Sequence, residues 1–157
     1  MSTATLDRPT ADPPGAEGDL LVVRDLTKYY PITKGFLRRV IGHVKAVDGV
    51  NFSIPESKTL GLVGESGCGK TTTSRLILRA FDPTGGSIMF KDETLGWVDV
   101  TKLERDQLKQ LRRHMQMIFQ DPYSSLNPRM TLLDIVGEPL LVNNVAKGDA
   151  LKDRVAE

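Results

Sequence analysis

The chain has 157 residues, room for one domain, and its 21 Lys and Arg against 20 Asp and Glu leave a net charge of +1. That balance gives no global field for nucleic acid or anionic lipid, and no stretch approaches the roughly 20 apolar residues of a membrane span. The N-terminus lacks the basic-then-apolar plan of a secretory signal, and the single cysteine, Cys68, excludes an intramolecular disulfide framework and fits a reducing cytosol.

Residues 1–19 are rich in Ala, Thr, Pro and Gly, with almost no large apolar side chains. They predict a disordered leader, with the folded domain over residues 20–157. Leu20-Leu-Val-Val-Arg-Asp25 predicts a strand, followed by the polar pair Thr27-Lys28 and the aromatic pair Tyr29-Tyr30, which ends at Pro31. From Lys34 to Lys45 the chain is basic through Lys34, Arg38, Arg39 and Lys45 and carries no acid. Its apolar residues are scattered, which predicts a solvated excursion, with a contact to membrane or partner as the alternative. Val44 to Ile54 alternates enough for a strand, and Pro55-Glu-Ser-Lys58 turns into Thr59-Leu-Gly-Leu-Val63, an apolar run suited to a buried parallel strand.

Residues 64–71, Gly-Glu-Ser-Gly-Cys-Gly-Lys-Thr, match the phosphate-holding loop G-x-x-x-x-G-K-[ST]. Leu76, Ile77 and Ala80 then give the following segment one apolar side, so the motif stands between a predicted strand and a predicted helix. Gly64, Gly67 and Gly69 lack a Cβ, which lets the backbone take positive φ and bring amides close to phosphate oxygens. Those amides, with the ones of Glu65, Ser66, Cys68 and Thr72, lie at the positive end of the helix. Lys70 is the cation for the β- and γ-phosphates and the candidate catalytic charge, and the Thr71 hydroxyl is a candidate Mg²⁺ ligand. Cys68 fills a small-residue position rather than acting in catalysis, because phosphoryl transfer relies on positioning and electrostatics. The expected ligand is a nucleoside triphosphate.

Asp82-Pro-Thr-Gly-Gly86 predicts a turn and Ser87-Ile-Met-Phe90 a short strand. Thr101 to Arg113 is helical in character through Leu103, Leu108 and Leu111. Met115-Gln-Met-Ile-Phe119 is a second candidate core strand, ended by Gln120-Asp121-Pro122. Leu132 to Leu141 predicts a helix up to a break at Pro139.

The flanking residues narrow the phosphate loop to a family. No Asn-Lys pair exists to begin the guanine reader of a Ras-type GTPase. Tyr30 upstream, the loop at 64–71 and Gln120 after an apolar run resemble, in that order, the ATP-binding subunits of ABC transporters. Val47-Asp-Gly-Val50 and Phe119-Gln-Asp-Pro-Tyr-Ser-Ser-Leu-Asn-Pro-Arg-Met130 are similar to the oligopeptide, dipeptide and nickel importers. His43-Val-Lys-Ala46, with the basic segment before it, is similar to the second ATPase subunit of such systems. The resemblance spans residues 20–142. It implies an α/β fold: a P-loop NTPase of ABC type with an N-terminal β-subdomain, part of a parallel-sheet core and the start of a helical subdomain. It also implies ATP and Mg²⁺ as ligands. Tyr30 would stack on adenine, with Tyr29 as the alternative ring. Gln120 would meet Mg²⁺ and the attacking water. Glu65 would shape the loop.

The implied partners are two integral-membrane permease subunits, a second ATP-binding subunit and, indirectly, an extracytoplasmic substrate-binding protein, with no nucleic acid. The implied place is the cytoplasmic face of the membrane. The family's Leu-Ser-Gly-Gly-Gln-type signature, a strand of four apolar residues ending in Asp-Glu, and a later switch histidine do not occur in these 157 residues. The expectation is therefore the N-terminal portion of a transport ATPase, inactive in hydrolysis by itself. Alternatives are a P-loop ATPase outside transport, a small-molecule kinase, or a non-catalytic truncated product.

Overall fold

The computed structural model of the protein describes residues 18–36, 38–119 and 126–157. The predicted leader lies outside them except for its last two residues, and Gln120 lies outside them too. The chain divides into two units, residues 1–116 and residues 117–157.

The first unit is built on a four-stranded sheet of order β2-β1-β3-β4, with β1 Asp19–Lys34, β2 Arg39–Pro55, β3 Gly85–Asp92 and β4 Gly96–Asp99. Every pairing is antiparallel. Helix α1 spans Lys70–Ile77 and α2 spans Arg105–Leu111. Period-two alternation turns Leu21 and Val23 of β1 and Ile88 and Phe90 of β3 to one face of the sheet, where they form a core with Leu26, Val98, Val100 and Leu76 of α1. Leu103, Leu108 and Leu111 close the same core. Val22 and Met89 are cross-strand partners that are also buried.

Polar side chains fix the ends of these elements. Arg79 follows α1 with φ +46°. Its Nε donates to Asp82 at 2.8 Å, and its Nη1 donates to the Val100 carbonyl at 3.2 Å and to the Leu103 carbonyl. Asp92 ends β3 with a buried carboxylate. Its Oδ1 accepts from the amides of Thr94 and Leu95 and the Thr94 hydroxyl, and its Oδ2 lies 2.5 Å from His114 Nδ1. Burial opposes the charge of Asp92, but the bonds from Thr94, His114 and the two amides outweigh it and hold the carboxyl well below the usual carboxylate range.

The basic segment is solvent-exposed, as expected, and takes the form of a β-ribbon: β1 runs through Tyr29-Tyr30-Pro31 to Lys34 and pairs with β2 from Arg39. Two expectations from sequence need correction. Thr59–Val63 and Met115–Phe119, read as parallel core strands, are not strands here, and the described residues contain no parallel pairing. Val63 and Ile118 are 89% and 96% exposed. A parallel strand is held by neighbours on both edges and covered on both faces, and neither cover exists for these runs among the described residues.

In the second unit, α3 spans Leu132–Val142 and α4 spans Asp149–Ala156, the latter not foreseen from sequence. Thr131 caps α3: its Oγ1 accepts from the Asp134 amide at 3.2 Å, and its own amide donates to the Asp134 carboxylate at 3.2 Å. Pro139 does not end the helix as predicted. Its carbonyl accepts from the Asn143 amide and the Asn143 side chain, which carries the last turn past the missing N–H. Gly137 packs on Leu151, whose side chain would lie 3.3 Å from an added Cβ.

Candidate nucleotide site

The loop over residues 64–69 is exposed apart from the half-buried Gly69, and leads from the unpaired segment into α1. Gly69 is the N-cap of α1 in the left-handed region, with φ +96°. A Cβ there would stand 2.4 Å from the Ala46 carbonyl oxygen and 3.7 Å from Val47 Cγ2. Glycine is therefore required twice, by conformation and by the closeness of β2. Gly67, at φ +82°, has no such neighbour, while a Cβ on Gly64 would meet Cys68 Sγ at 2.7 Å.

No side chain caps α1, and its first turn holds no acid. The amides at that end have no intrahelical acceptor, so the helix presents donors and a partial positive charge toward the loop. Lys70 Nζ donates to the carbonyls of Gly64 at 2.7 Å and Glu65 at 2.6 Å, and lies 3.5 Å from Cys68 Sγ. The ammonium thus lies against the loop, within its own concavity. Among the hydroxyls of this turn, Thr73 donates to the Gly69 carbonyl and Ser74 to the Lys70 carbonyl. Thr71 is exposed and makes no such bond to the helix, which suits it to a metal ion. Ser66 and Cys68 are exposed, and Thr72 is half-buried. Open amides, an anchored lysine and an exposed hydroxyl fit a polyphosphate with its cation.

The aromatic pair separates into two roles. Tyr29 is half-buried: its amide donates to Thr84 Oγ1 at 2.9 Å and its hydroxyl donates to Asp48. That hydroxyl bond raises the phenol's pKa and, with the bond from Lys45, lowers that of Asp48. Tyr30 is 43% exposed, with Lys28 Nζ 5.2 Å from its ring centroid. It pairs with Val44, two residues before Ala46, whose carbonyl abuts Gly69. The ring available for stacking therefore lies on the strand pair that supports the phosphate loop.

Sequence reasoning missed Asp48 as the acceptor that engages Tyr29, although it lies in the stretch Val47-Asp-Gly-Val50. It also missed Ala46, whose part is played by a backbone carbonyl and leaves no mark on residue type. Gln120, the expected metal and water contact, falls outside the described residues. A cavity of about 580 Å³ elsewhere on this unit is lined by Leu20, Glu56, Lys91, Asp92 and Trp97. It shares no residue with the loop, and its Lys91 and Glu56 are paired at 2.7 Å. No group of three metal-binding side chains occurs, and no helix is long and apolar enough to cross a membrane, among the described residues.

A phosphate loop on an antiparallel β-subdomain defines a nucleotide-binding cassette, and the known proteins it resembles narrow the class. The profile of the family described as ABC transporter matches residues 47–157, and the chain belongs to that family. It is 45% identical over 139 residues to the oligopeptide transport ATP-binding protein AppF of Bacillus subtilis, covering 88% of this chain and 41% of that protein. It is 40% identical over 140 residues to the di/tripeptide transport ATP-binding protein DppF of Pseudomonas aeruginosa, covering 88% and 41%. The chain thus spans about two fifths of the length of these relatives. Among solved structures, the dimeric bacterial ABC transporter cassette MJ0796 is 25% identical with a TM-score of 0.61, covering 82% of this chain and 49% of that one. A post-hydrolysis state of MJ0796 bound to ADP and Pi has a TM-score of 0.65 at 24% identity, covering 87% and 54%, and supports the fold.

Proposed function

We propose that this chain forms the ATP-binding part of an energy-coupling subunit of an ABC importer for peptides. The observation that carries the reading is the open, uncapped first turn of α1 behind Gly69, with Lys70 held against the Gly64 and Glu65 carbonyls. The amides of the loop and of the first turn of α1 would bind the phosphates with Lys70, the Cys68 amide being engaged by the Glu65 carbonyl at 3.3 Å. Tyr30 would stack on the base, and Thr71 and Gln120 would hold Mg²⁺. ATP supplies the energy of the transport cycle. The chain's own residues grip and orient it, and Lys70 neutralises charge that builds on the phosphates.

Kinship with AppF and DppF supports a peptide as cargo, and two membrane permeases are the partners such a role requires. The dimeric cassette supports assembly with a second ATP-binding subunit. The working place is then the cytoplasmic face of the membrane. ATP hydrolysis, peptide transport and these contacts are proposed for the protein as a whole. No described residue favours a kinase, a P-loop ATPase outside transport or a non-catalytic product.

Calorimetric titration with MgATP tests the reading. Lys70→Ala removes a charge-assisted interaction of about 1.5–3 kcal/mol, which weakens ATP binding by about ten- to hundredfold. Equal affinity in the two proteins would overturn it.

A further inference from the structure

The ribbon formed by Pro31–Lys34 and Arg39–Lys45 projects past the sheet with its described side chains exposed. Among the described residues of the first unit none buries its side chains, although a lone two-stranded ribbon is marginal in water. Its composition is unlike the rest of the surface. Ile32, Val40, Ile41 and Val44 are 44%, 49%, 60% and 54% exposed, and Phe36 at the turn is 103% exposed. Ile32 lies over Gly42, its Cδ1 3.8 Å from where a Cβ would be, so one face of the ribbon is apolar from Tyr30 to Ile32. Lys34 and Arg39, a cross-strand pair, and Arg38 flank the turn that carries Phe36.

No acid lies between Asp25 and Asp48. Lys45 is paired with Asp48 at 3.0 Å, whereas Lys34, Arg38 and Arg39 have no carboxylate in ion-pair reach among the described residues. A fully exposed aromatic at the turn, flanked in the chain by cations that no described acid pairs with, is complementary to an anionic bilayer surface. The ring enters at headgroup depth while the cations meet lipid phosphates. The near-zero net charge of the whole chain does not oppose this, because the attraction acts within a Debye length of the tip.

We propose that this ribbon is a membrane-surface contact that docks on acidic phospholipid, with Phe36 as the inserting side chain and Lys34, Arg38 and Arg39 as the headgroup ligands. It lies outside the phosphate loop and needs no nucleotide, so it stands or falls apart from the ATP-binding reading.

The test is co-sedimentation of the 157-residue chain, without nucleotide, with vesicles of phosphatidylcholine alone or mixed with phosphatidylglycerol. Binding is expected only with the anionic lipid and is expected to fall steeply between 50 mM and 500 mM salt. Each cation near an anionic leaflet contributes about fivefold, so Arg38→Gln with Arg39→Gln weakens binding by about twenty-five-fold. Phe36→Ser weakens it by about tenfold. These positions are exposed, and an unchanged circular dichroism spectrum confirms that the fold is kept. In a Trp97→Phe background, Phe36→Trp gives emission that brominated lipid quenches. Three results would overturn the proposal. One is no binding to anionic vesicles, which leaves a protein partner as the occupant. The others are equal binding to both lipids, and binding that the substitutions leave unchanged, which assigns it to apolar residues elsewhere such as Val63 or Ile118.

Discussion

Two glycines of the phosphate loop share a positive φ but differ in what surrounds them, and that difference sets a sharp expectation. Gly69→Ala forces a side chain into the left-handed region, at a cost of about 1–2 kcal/mol. It also puts a Cβ 2.4 Å from the Ala46 carbonyl oxygen. Ordinary contact needs roughly 1 Å more, so the start of α1 must move away from β2 while Leu76, fully buried, holds the other end of that helix in the core. Overpacking of this kind costs a further 1–3 kcal/mol or so, giving a total of about 2–5 kcal/mol. Gly67→Ala pays only the conformational part, about 1–2 kcal/mol, because no atom lies within 4 Å of the added carbon. Urea unfolding followed by circular dichroism reads both changes, since the midpoint shifts by the free-energy change divided by a slope of about 1–3 kcal/mol/M. MgATP titration supplies a second reading, in which Gly69→Ala loses more affinity because the open amides of α1 move. Equal midpoints for the two variants would refute the contact between the loop and β2 as the reason for glycine at 69.

Other residues carry separate expectations. Asp92→Asn keeps the shape of the buried side chain but loses charged acceptors for Thr94, Leu95 and His114, so stability at pH 7 falls by about 1.5–3 kcal/mol. The folded-state pKa of Asp92 is depressed, so its stabilisation is fully present above the unfolded value of about 4 and is lost as pH falls below it. The gap between Asp92→Asn and the parent, measured by urea unfolding at pH 7 and pH 3, therefore narrows on the acid side, and a constant gap would contradict the assignment. Arg79→Ala leaves the Val100 and Leu103 carbonyls without their guanidinium donor and lowers stability by about 1.5–3 kcal/mol, again read from the urea midpoint. Tyr30→Ala removes a stacking face worth about 1–3 kcal/mol, so calorimetry shows MgATP affinity falling by about five- to hundredfold. Tyr30→Phe keeps the face and the affinity. If Tyr29→Ala, rather than Tyr30→Ala, carries the loss, the assignment of the two rings reverses.

What could be read from the sequence divides along the range of the interactions involved. The phosphate loop was legible because its requirements are local: glycines that free the backbone, then Lys70 and Thr71 at the start of a helix. The same holds for the strands at Leu20–Asp25 and Ser87–Phe90, whose alternating side chains reach the core. The ribbon around Phe36 was legible only in part, in the strand expected from Val44, because its described side chains stay exposed and burial leaves no mark on the rest. Only pairing between Tyr30 and Val44 or Lys34 and Arg39 defines it. β4 shows how a short strand escapes as well. β4 has four residues, too few for a periodicity, yet Val98 is 1% exposed.

Thr59–Val63 and Met115–Phe119 fail in the opposite direction. Apolar composition reports that a segment gains from burial, but it cannot supply the neighbours that bury it. A parallel strand needs partners delivered by crossover connections from distant parts of a chain. The antiparallel strands here close their ladders among themselves, with β1 between β2 and β3 and β4 on the edge beyond. Gly69 joins the two cases. Its residue type was foreseen from the loop motif alone, while half of the reason for it, the Ala46 carbonyl, lies on a strand 23 positions earlier in the chain and belongs to the fold. The phosphate loop thus meets the β-subdomain closely at Gly69, where β2 leaves no room for a side chain, whether or not the apolar run that leads into it is covered.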